Sequence, residues 1–309
     1  MERAREETWN EAADETSDAG IRRYRLGCPA WGFQEWRGSL YRRKTPARDF
    51  LRWYARVFNA VEGNTTFYSL PAPEVVPRWR EATPPGFRFC FKLPRTVTHE
   101  LQLEDSEAET VGFFRRLELL GERLGPFMVQ LPPSFGPGRL EVLDRFLCSL
   151  PGDHRFAVEL RHRSFFASDD AVRRVDELLA ARGCERVVLD TRPLRAGDPS
   201  HPDLRAARHR KPDLPVHPVA LGPNPLLRLI CHPDPAVSEP FLAEWAERVA
   251  GWIEEGRRPY AMVHSPSNLH APQLARRFHE LLNRRADVGE MPPWSGERQE
   301  AESGQLRLL

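Results

Sequence analysis

The sequence predicts an α/β fold, a single (β/α)8 TIM-barrel-like domain, from three observations. Eight short apolar segments rich in strand-forming residues recur along the chain, and a helical segment or a long crossover follows each one. Polar and ionisable residues gather at the C-terminal ends of these segments. Repeated β-then-α units favour parallel strands covered by helices. A barrel of about 250 residues with its site at the C-terminal strand ends also suits a chain of 309 residues. The predicted domain spans 21–285, between polar tails at 1–20 and 286–309 that are expected to be disordered.

The first strand, 24–28, ends in a Pro-Ala-Trp-Gly turn. Thr45 and Pro46 then supply the cap and first-turn proline of a helix start, with Leu51, Tyr54, Ala55 and Phe58 at helical spacing. Strand two occupies the stretch 58–68, and a short helix follows at 73–81. Strand three, 87–93, alternates strictly, with Phe87, Phe89, Phe91 and Leu93 on one face and Cys90 and Lys92 on the other. A helix at 106–123 precedes strand four at 127–131. A helix at 139–149 leads to strand five at 156–161, and a helix at 169–182, stopped by Gly183, leads to strand six at 186–190. Between 193 and 225 lies a Pro-, Arg- and His-rich insertion without helical or strand period. A connection of that length inside a compact domain is more often functional than idle. Strand seven (226–230), a helix (240–255), strand eight (260–264) and a last helix (271–285) complete the series.

Forty-five Lys and Arg against 44 Asp and Glu give a net charge of +1, so the chain lacks the global basic field of a general nucleic-acid binder. Five widely spaced cysteines without a CxxC pair argue against a disulfide framework or zinc ribbon and for reduced thiols in a cytoplasmic protein. No apolar run approaches the ~18 residues of a membrane span. Walker, GxGxxG and GxSxG motifs are lacking. The sequence names no cofactor and leaves the oligomeric state open.

Side chains alternate across a strand, so the parity of each segment predicts which residues face the barrel axis. This reading brings Glu62, Asn64, Lys92, Gln130, Glu159, Arg161, Asp190, Arg192, Arg228 and His264 to one mouth. Arginine forks suit phosphate or carboxylate, so Arg161, Arg192 and Arg228 are candidate anion clamps, joined as binding residues by Asn64, Gln130 and Asn268. Trp31 and Tyr68 follow strand ends and offer stacking surfaces. Glu62 and Glu159 are the candidate acid and base, with Asp190, His264 and Lys92 as further candidate catalytic groups. The expected function is therefore a cytoplasmic enzyme acting on a small anionic substrate by general acid/base chemistry. Two alternatives stand beside it. One is a nucleic-acid-binding or adaptor protein gripping a strand through Arg and aromatic contacts. The other is a metal-assisted hydrolase or isomerase using Glu62, Glu159, Asp190 and His264 as a shell, although the same mouth carries several cations and no metal-ligand motif such as HxH or HExxH.

Several motifs resemble those of the YecE-like family, also called domain of unknown function 72. They include Gly27-Cys-Pro-Ala-Trp31, Tyr54-Ala-Arg-Val-Phe-Asn-Ala-Val-Glu-Gly-Asn-Thr-Thr-Phe-Tyr68, Gln130-Leu-Pro, Val158-Glu-Leu-Arg-His162, Leu189-Asp-Thr-Arg-Pro193, Asn224-Pro-Leu-Leu-Arg228 and His264-Ser-Pro-Ser-Asn268. The resemblance covers roughly 24–285 and implies a TIM-barrel-like fold. It implies no reaction and no catalytic roles.

Overall fold

Strands and helices alternate along the chain in the computed structural model, which describes residues 21–198 and 202–297. The predicted tail at 1–20 and the last part of the other, 298–309, lie outside the described residues. Strand β1 (Arg25–Gly27) leads through helix α1 (Phe50–Tyr54) to β2 (Ala60–Gly63), then α2 (Val75–Glu81), β3 (Arg88–Phe91), α3 (Glu107–Leu117), β4 (Phe127–Gln130) and α4 (Leu140–Ser149). Strand β5 (Phe156–Glu159) and α5 (Asp169–Ala181) precede a strand broken in two, β6 (Glu185–Arg186) and β7 (Val188–Asp190). Helices α6 (Arg192–Arg195) and α7 (Pro202–Arg210), β8 (Leu226–Ile230), α8 (Pro235–Glu254), β9 (Tyr260–His264) and α9 (Ala271–Asn283) follow.

All strand pairs are parallel, in three groups ordered β1-β9-β8-β7, β2-β3 and β4-β5-β6. The ladders do not join into one closed sheet. Isolated hydrogen bonds connect their edges: Glu62 N donates to Cys28 O at 3.0 Å, Gly125 N to Phe89 O at 2.8 Å, Leu93 N to Met128 O at 3.1 Å and Val187 N to Val158 O at 2.9 Å.

Each sheet buries both faces. The helix side packs against the main core, where α9 contributes Leu274, Phe278, Leu281 and Leu282 and α8 contributes Leu242, Trp245 and Val249. The opposite side forms a second apolar cluster of Ala60, Cys90, Met128, Ala157, Val187, Leu226, Tyr260 and Met262. Because successive side chains alternate, the residue two positions further along each strand stands on that same face.

Four sequence expectations are corrected. Residues 286–297 are not a disordered tail: Val288 and Trp294 are buried, and Ser295 Oγ donates to Leu40 O at 3.0 Å. Apolar anchors scattered through a polar stretch carry no period that would reveal this packing. Helix α8 begins five residues before Pro240, because Asp234 caps it by accepting from Ala236 N at 2.9 Å and Pro235 fills its first turn. The helix expected over 106–123 ends at Leu117 and continues as a 3-10 turn with Gly121 at φ 53°. Finally, the 193–225 insertion is helical in part. Leu204 and Ala207 of α7 pack with Leu194 and Ile230, and Arg208 Nε donates to Leu194 O at 2.9 Å.

Candidate functional site

The second apolar cluster defines the site, because a polar layer stands directly on it. Two residues beyond Ala60, Cys90, Met128, Ala157, Leu226 and Met262 come Glu62, Lys92, Gln130, Glu159, Arg228 and His264. All six are buried, Glu62 and Glu159 completely and Arg228 to 1% exposure. Buried charges must be paired, and here the pairing runs as a chain. The Arg228 Nε and Nη2 atoms donate to the two oxygens of Glu62 at 2.8 and 2.7 Å, a bidentate fork. Its remaining Nη1 donates to Glu159. Glu159 also accepts from Arg161 Nε at 2.7 Å, and Arg161 Nη2 donates to Gln130 Oε1 at 2.8 Å. His264 Nε2 lies 3.1 Å from Glu62, and Lys92 Nζ 3.5 Å.

This geometry fixes the charge states. Burial raises the Glu62 carboxyl, but Arg228, His264 and Lys92 outweigh it and hold it well below the ordinary carboxylate range. Glu159 is likewise lowered, by Arg228, Arg161 and Lys92 against burial. With Glu62 ionised it can only accept, so His264 Nε2 carries the proton and Nδ1 is left as the ring's acceptor. Burial pushes His264 down to about 4 against the pull of Glu62, so the imidazole is neutral at pH 7. The groups that titrate near neutrality are the lysines. Lys92 is lowered to about 7 by burial and by Arg228, and Lys211 to about 8 for the same two reasons.

Above the polar layer opens a cavity of about 830 Å³. Six cations line it, Lys92, Arg95, Arg161, Arg210, Lys211 and Arg228, together with Asn64, Gln130, His99, His264, Ser265 and Asn268, and its described lining holds no carboxylate. Phe33, Phe67 and Tyr68 form an aromatic rim, with Tyr68 78% exposed. The Ser265 hydroxyl is buried and has no hydrogen-bond partner among the described residues. A hydroxyl so placed is a donor for whatever enters. A larger cavity of about 960 Å³ lies between α3 and α4, remote from this network and of mixed charge. The smaller one is the cavity that adjoins the buried ion network, through Lys92, Gln130, Arg161, Arg228 and His264.

The model of the protein family described as "Protein of unknown function DUF72" matches residues 25–298. The chain belongs to the DUF72 family. It is 39% identical over 268 residues to the UPF0759 protein YecE of Escherichia coli (strain K12), covering 86% of this chain and 96% of that protein. The UPF0759 protein YecE of Escherichia coli O157:H7 is 38% identical over the same length. Among solved structures, a DUF72 family protein from Thermotoga maritima MSB8 is similar at TM-score 0.65 and 24% identity, covering 84% of this chain and 99% of that one. A DUF72 family protein from Enterococcus faecalis V583 is similar at TM-score 0.65 and 19% identity, covering 87% and 98%. These structures support the fold alone.

In this DUF72 chain the cavity brings together Asn64, Tyr68, Lys92, Gln130, Arg161, Arg228, His264 and Asn268, over Glu62 and Glu159. Three predicted site residues lie elsewhere. Asp190 pairs in register with the helix-facing Leu229, accepts from Trp245 Nε1 of α8 at 2.8 Å and binds Arg192. Arg192 continues outward to Glu244 at 2.9 Å and over the Phe241 ring. Placing Asp190 and Arg192 at the mouth requires Val187 to face the helices, whereas it belongs to the opposite cluster. The apolar run 187–189 satisfies either face, so its parity was ambiguous. Trp31 packs edge-on against Trp79 and Phe89 outside the cavity. The metal shell of Glu62, Glu159, Asp190 and His264 is thereby not assembled: Asp190 faces away, and Arg228 occupies both glutamates. Among the described residues no cluster of three or more His, Cys, Asp or Glu is placed to hold a metal ion.

Sequence reasoning missed Arg95, His99, Arg210 and Lys211. Arg95 leads into the π-helical turn Thr96–Glu100, which contains His99, and π turns interrupt the helical period used to read sequences. Arg210 ends α7 and Lys211 follows it, in the stretch read as irregular. The signal that marks Lys211 is rarity. Of the 45 lysine and arginine residues only Lys44, Lys92 and Lys211 are lysines.

Proposed function

We propose that the cavity binds a small molecule bearing a phosphate or carboxylate group, and that the protein is an enzyme acting on it. The observation that carries this reading is six cations around one cavity whose described lining has no carboxylate. Arg228 spends Nε, Nη1 and Nη2 on Glu62 and Glu159 and so serves as the strut of the site. Arg161, Lys92 and Lys211 are left as the anion clamp, with Arg95 and Arg210 at the same wall. Glu62 and Glu159, pinned in the ionised state, orient these cations; Lys92 and Lys211 take over the acid and base roles, because a proton-transfer group works best when its pKa lies near the operating pH.

We further propose that the three sheets close into one (β/α)8 barrel with this cavity at its C-terminal mouth. The edge hydrogen bonds from Glu62 to Cys28 and from Leu93 to Met128 support closure, as does the continuity of β6 and β7 through Val187. All five cysteines are unpaired, which favours a cytoplasmic setting. No helix among the described residues is long and apolar enough to cross a membrane. A nucleic-acid strand is the less favoured ligand, since the cations converge inside a concavity instead of forming a surface stripe.

Calorimetric titration with inorganic phosphate and with a dicarboxylate tests the reading. Binding of at least one is expected, with affinity reduced about tenfold or more by Arg161→Ala, since a charge-assisted hydrogen bond contributes roughly 1.5–3 kcal/mol. Equal affinity in a folded Arg161→Ala protein, or no binding of either anion, would sink it.

A further inference from the structure

Arginine has displaced lysine almost everywhere in this chain, yet two of its three lysines line the same cavity while the third, Lys44, is exposed. Wherever only a positive charge or a hydrogen-bond fork is needed, arginine serves. What arginine cannot supply is an amine that sheds its proton and attacks an electrophile.

The position of Lys92 fits that use. Its backbone is fixed at the end of β3 by a bridge to Met128, by its N–H to Gly63 O at 3.4 Å and by the Thr66 hydroxyl donating to its carbonyl at 2.9 Å. The side chain is buried, over the apolar cluster that includes Cys90 and Met128. Glu62 lies 3.5 Å from it and Glu159 acts on it from further away, and both carboxylates already bind Arg228. The ammonium is therefore poorly compensated, and desolvation beside another cation is a recognised way of activating a lysine nucleophile.

We infer that Lys92 forms a Schiff base with the carbonyl carbon of a small anionic aldehyde, ketone or keto acid whose charged group is held by Arg161 and Lys211. The inference rests on the anion-binding reading above and narrows its substrate class to carbonyl compounds. The neutral amine attacks the carbonyl carbon, and the carbon–oxygen π pair moves to oxygen, which takes a proton from the newly cationic nitrogen. The resulting carbinolamine expels that oxygen as water with a second proton, leaving a protonated carbon–nitrogen double bond. In balance, one amine, one carbonyl compound and one proton give one iminium ion and one water. With Lys92 lowered to about 7 and Lys211 to about 8, a neutral solution holds a share of Lys92 as free amine while Lys211 remains largely an ammonium able to donate.

The full-length protein is incubated separately with glyoxylate, pyruvate and glyceraldehyde 3-phosphate in the presence of sodium cyanoborohydride, which delivers hydride to the iminium carbon and fixes the adduct. Intact mass and peptide mapping then locate it. With only three lysines, Lys44 and the N-terminal amine are internal references for unassisted reaction. Expected is an adduct on Lys92 forming at least tenfold faster than on Lys44, with at least one probe, and slowed by inorganic phosphate. Lys92→Arg should abolish that adduct and Lys211→Arg should slow it. Should Lys92→Arg fail to fold, the wild-type map alone decides. Modification of Lys44 or the N-terminus as fast as Lys92, or no adduct with any probe, overturns the inference. If phosphate still binds by calorimetry in that case, the anion site stands and only the covalent step falls. If neither phosphate nor the dicarboxylate binds, both fall.

Discussion

Arg228 stands at the centre of the site because of what it touches. It is 1% exposed, with three of its nitrogen atoms on two carboxylates that are themselves fully buried. A buried ion pair adds little net stability when intact, but removing one partner strands the other. Arg228→Met would strand two, so a loss of about 3–5 kcal/mol is expected, measured as a drop in the urea midpoint at pH 7. A loss below about 1 kcal/mol would mean that Lys92, Arg161 and His264 compensate Glu62 and Glu159 unaided. The individual identities in this layer were readable from the sequence, since each stands at an even spacing from an apolar residue on its own strand. Their assignment as acid and base was not. That depends on which carboxylate oxygens are already occupied, and occupancy is decided by a partner 69 to 166 residues away.

At the scale of elements, legibility followed period. Strand β3 alternates cleanly and its facing was plain, whereas the apolar run at 187–189 misled on Asp190 and Arg192. The insertion could not be read as helical because α7 is dominated by Arg and His, with few apolar positions to set a period. It nevertheless delivers Arg210 and Lys211 to the cavity. The contact between β1 and β2 carries a sharper demand. A Cβ on Gly27 would lie 2.3 Å from Ala60 O and 2.7 Å from Ala60 C, both backbone atoms that cannot swing aside. Asn59 reinforces the same junction, accepting from Leu26 N at 2.8 Å and donating to Tyr24 O at 2.9 Å. Gly27→Ala is expected to destabilise by about 3 kcal/mol or more through overpacking, visible as a lowered Tm. Because β2 carries Glu62, anion affinity should fall with it. An unchanged Tm would show that β1 can shift without cost.

Across the whole molecule, the buried ionisable groups set a stability optimum on the alkaline side. In the unfolded chain Lys92 titrates near 10.4, and in the folded protein near 7. Between these values the unfolded state binds a proton that the folded state does not, so stability rises with pH, by at most about 1.4 kcal/mol per unit for one group. Lys211 has the same sign from about 8 upward. His99 and His264, both lowered to about 4, and His279, also lowered, act likewise as pH rises to about 6.5. Glu62 and Glu159 contribute stability that is present above about 4.3 and lost as pH falls towards their depressed values. Burial opposes all of these at the thiols. Cys28, Cys90, Cys184 and Cys231 are raised, so above about 8.5 the unfolded chain loses protons that the folded one keeps, and stability declines. The urea midpoint of the reduced protein is therefore expected to climb from pH 5 to about 8 and to fall beyond about 9. The Lys92 contribution, shaped by Glu62, Glu159, Arg228 and Lys211 around it, is isolated by Lys92→Met, which should flatten the rise between pH 7 and 8 while leaving the climb below pH 6.5. A wild-type midpoint that stays level from pH 7 to 8, or a variant that keeps the wild-type slope there, would place the Lys92 proton on the folded protein as firmly as on the unfolded chain. It would also remove the free amine on which the proposed carbonyl chemistry depends.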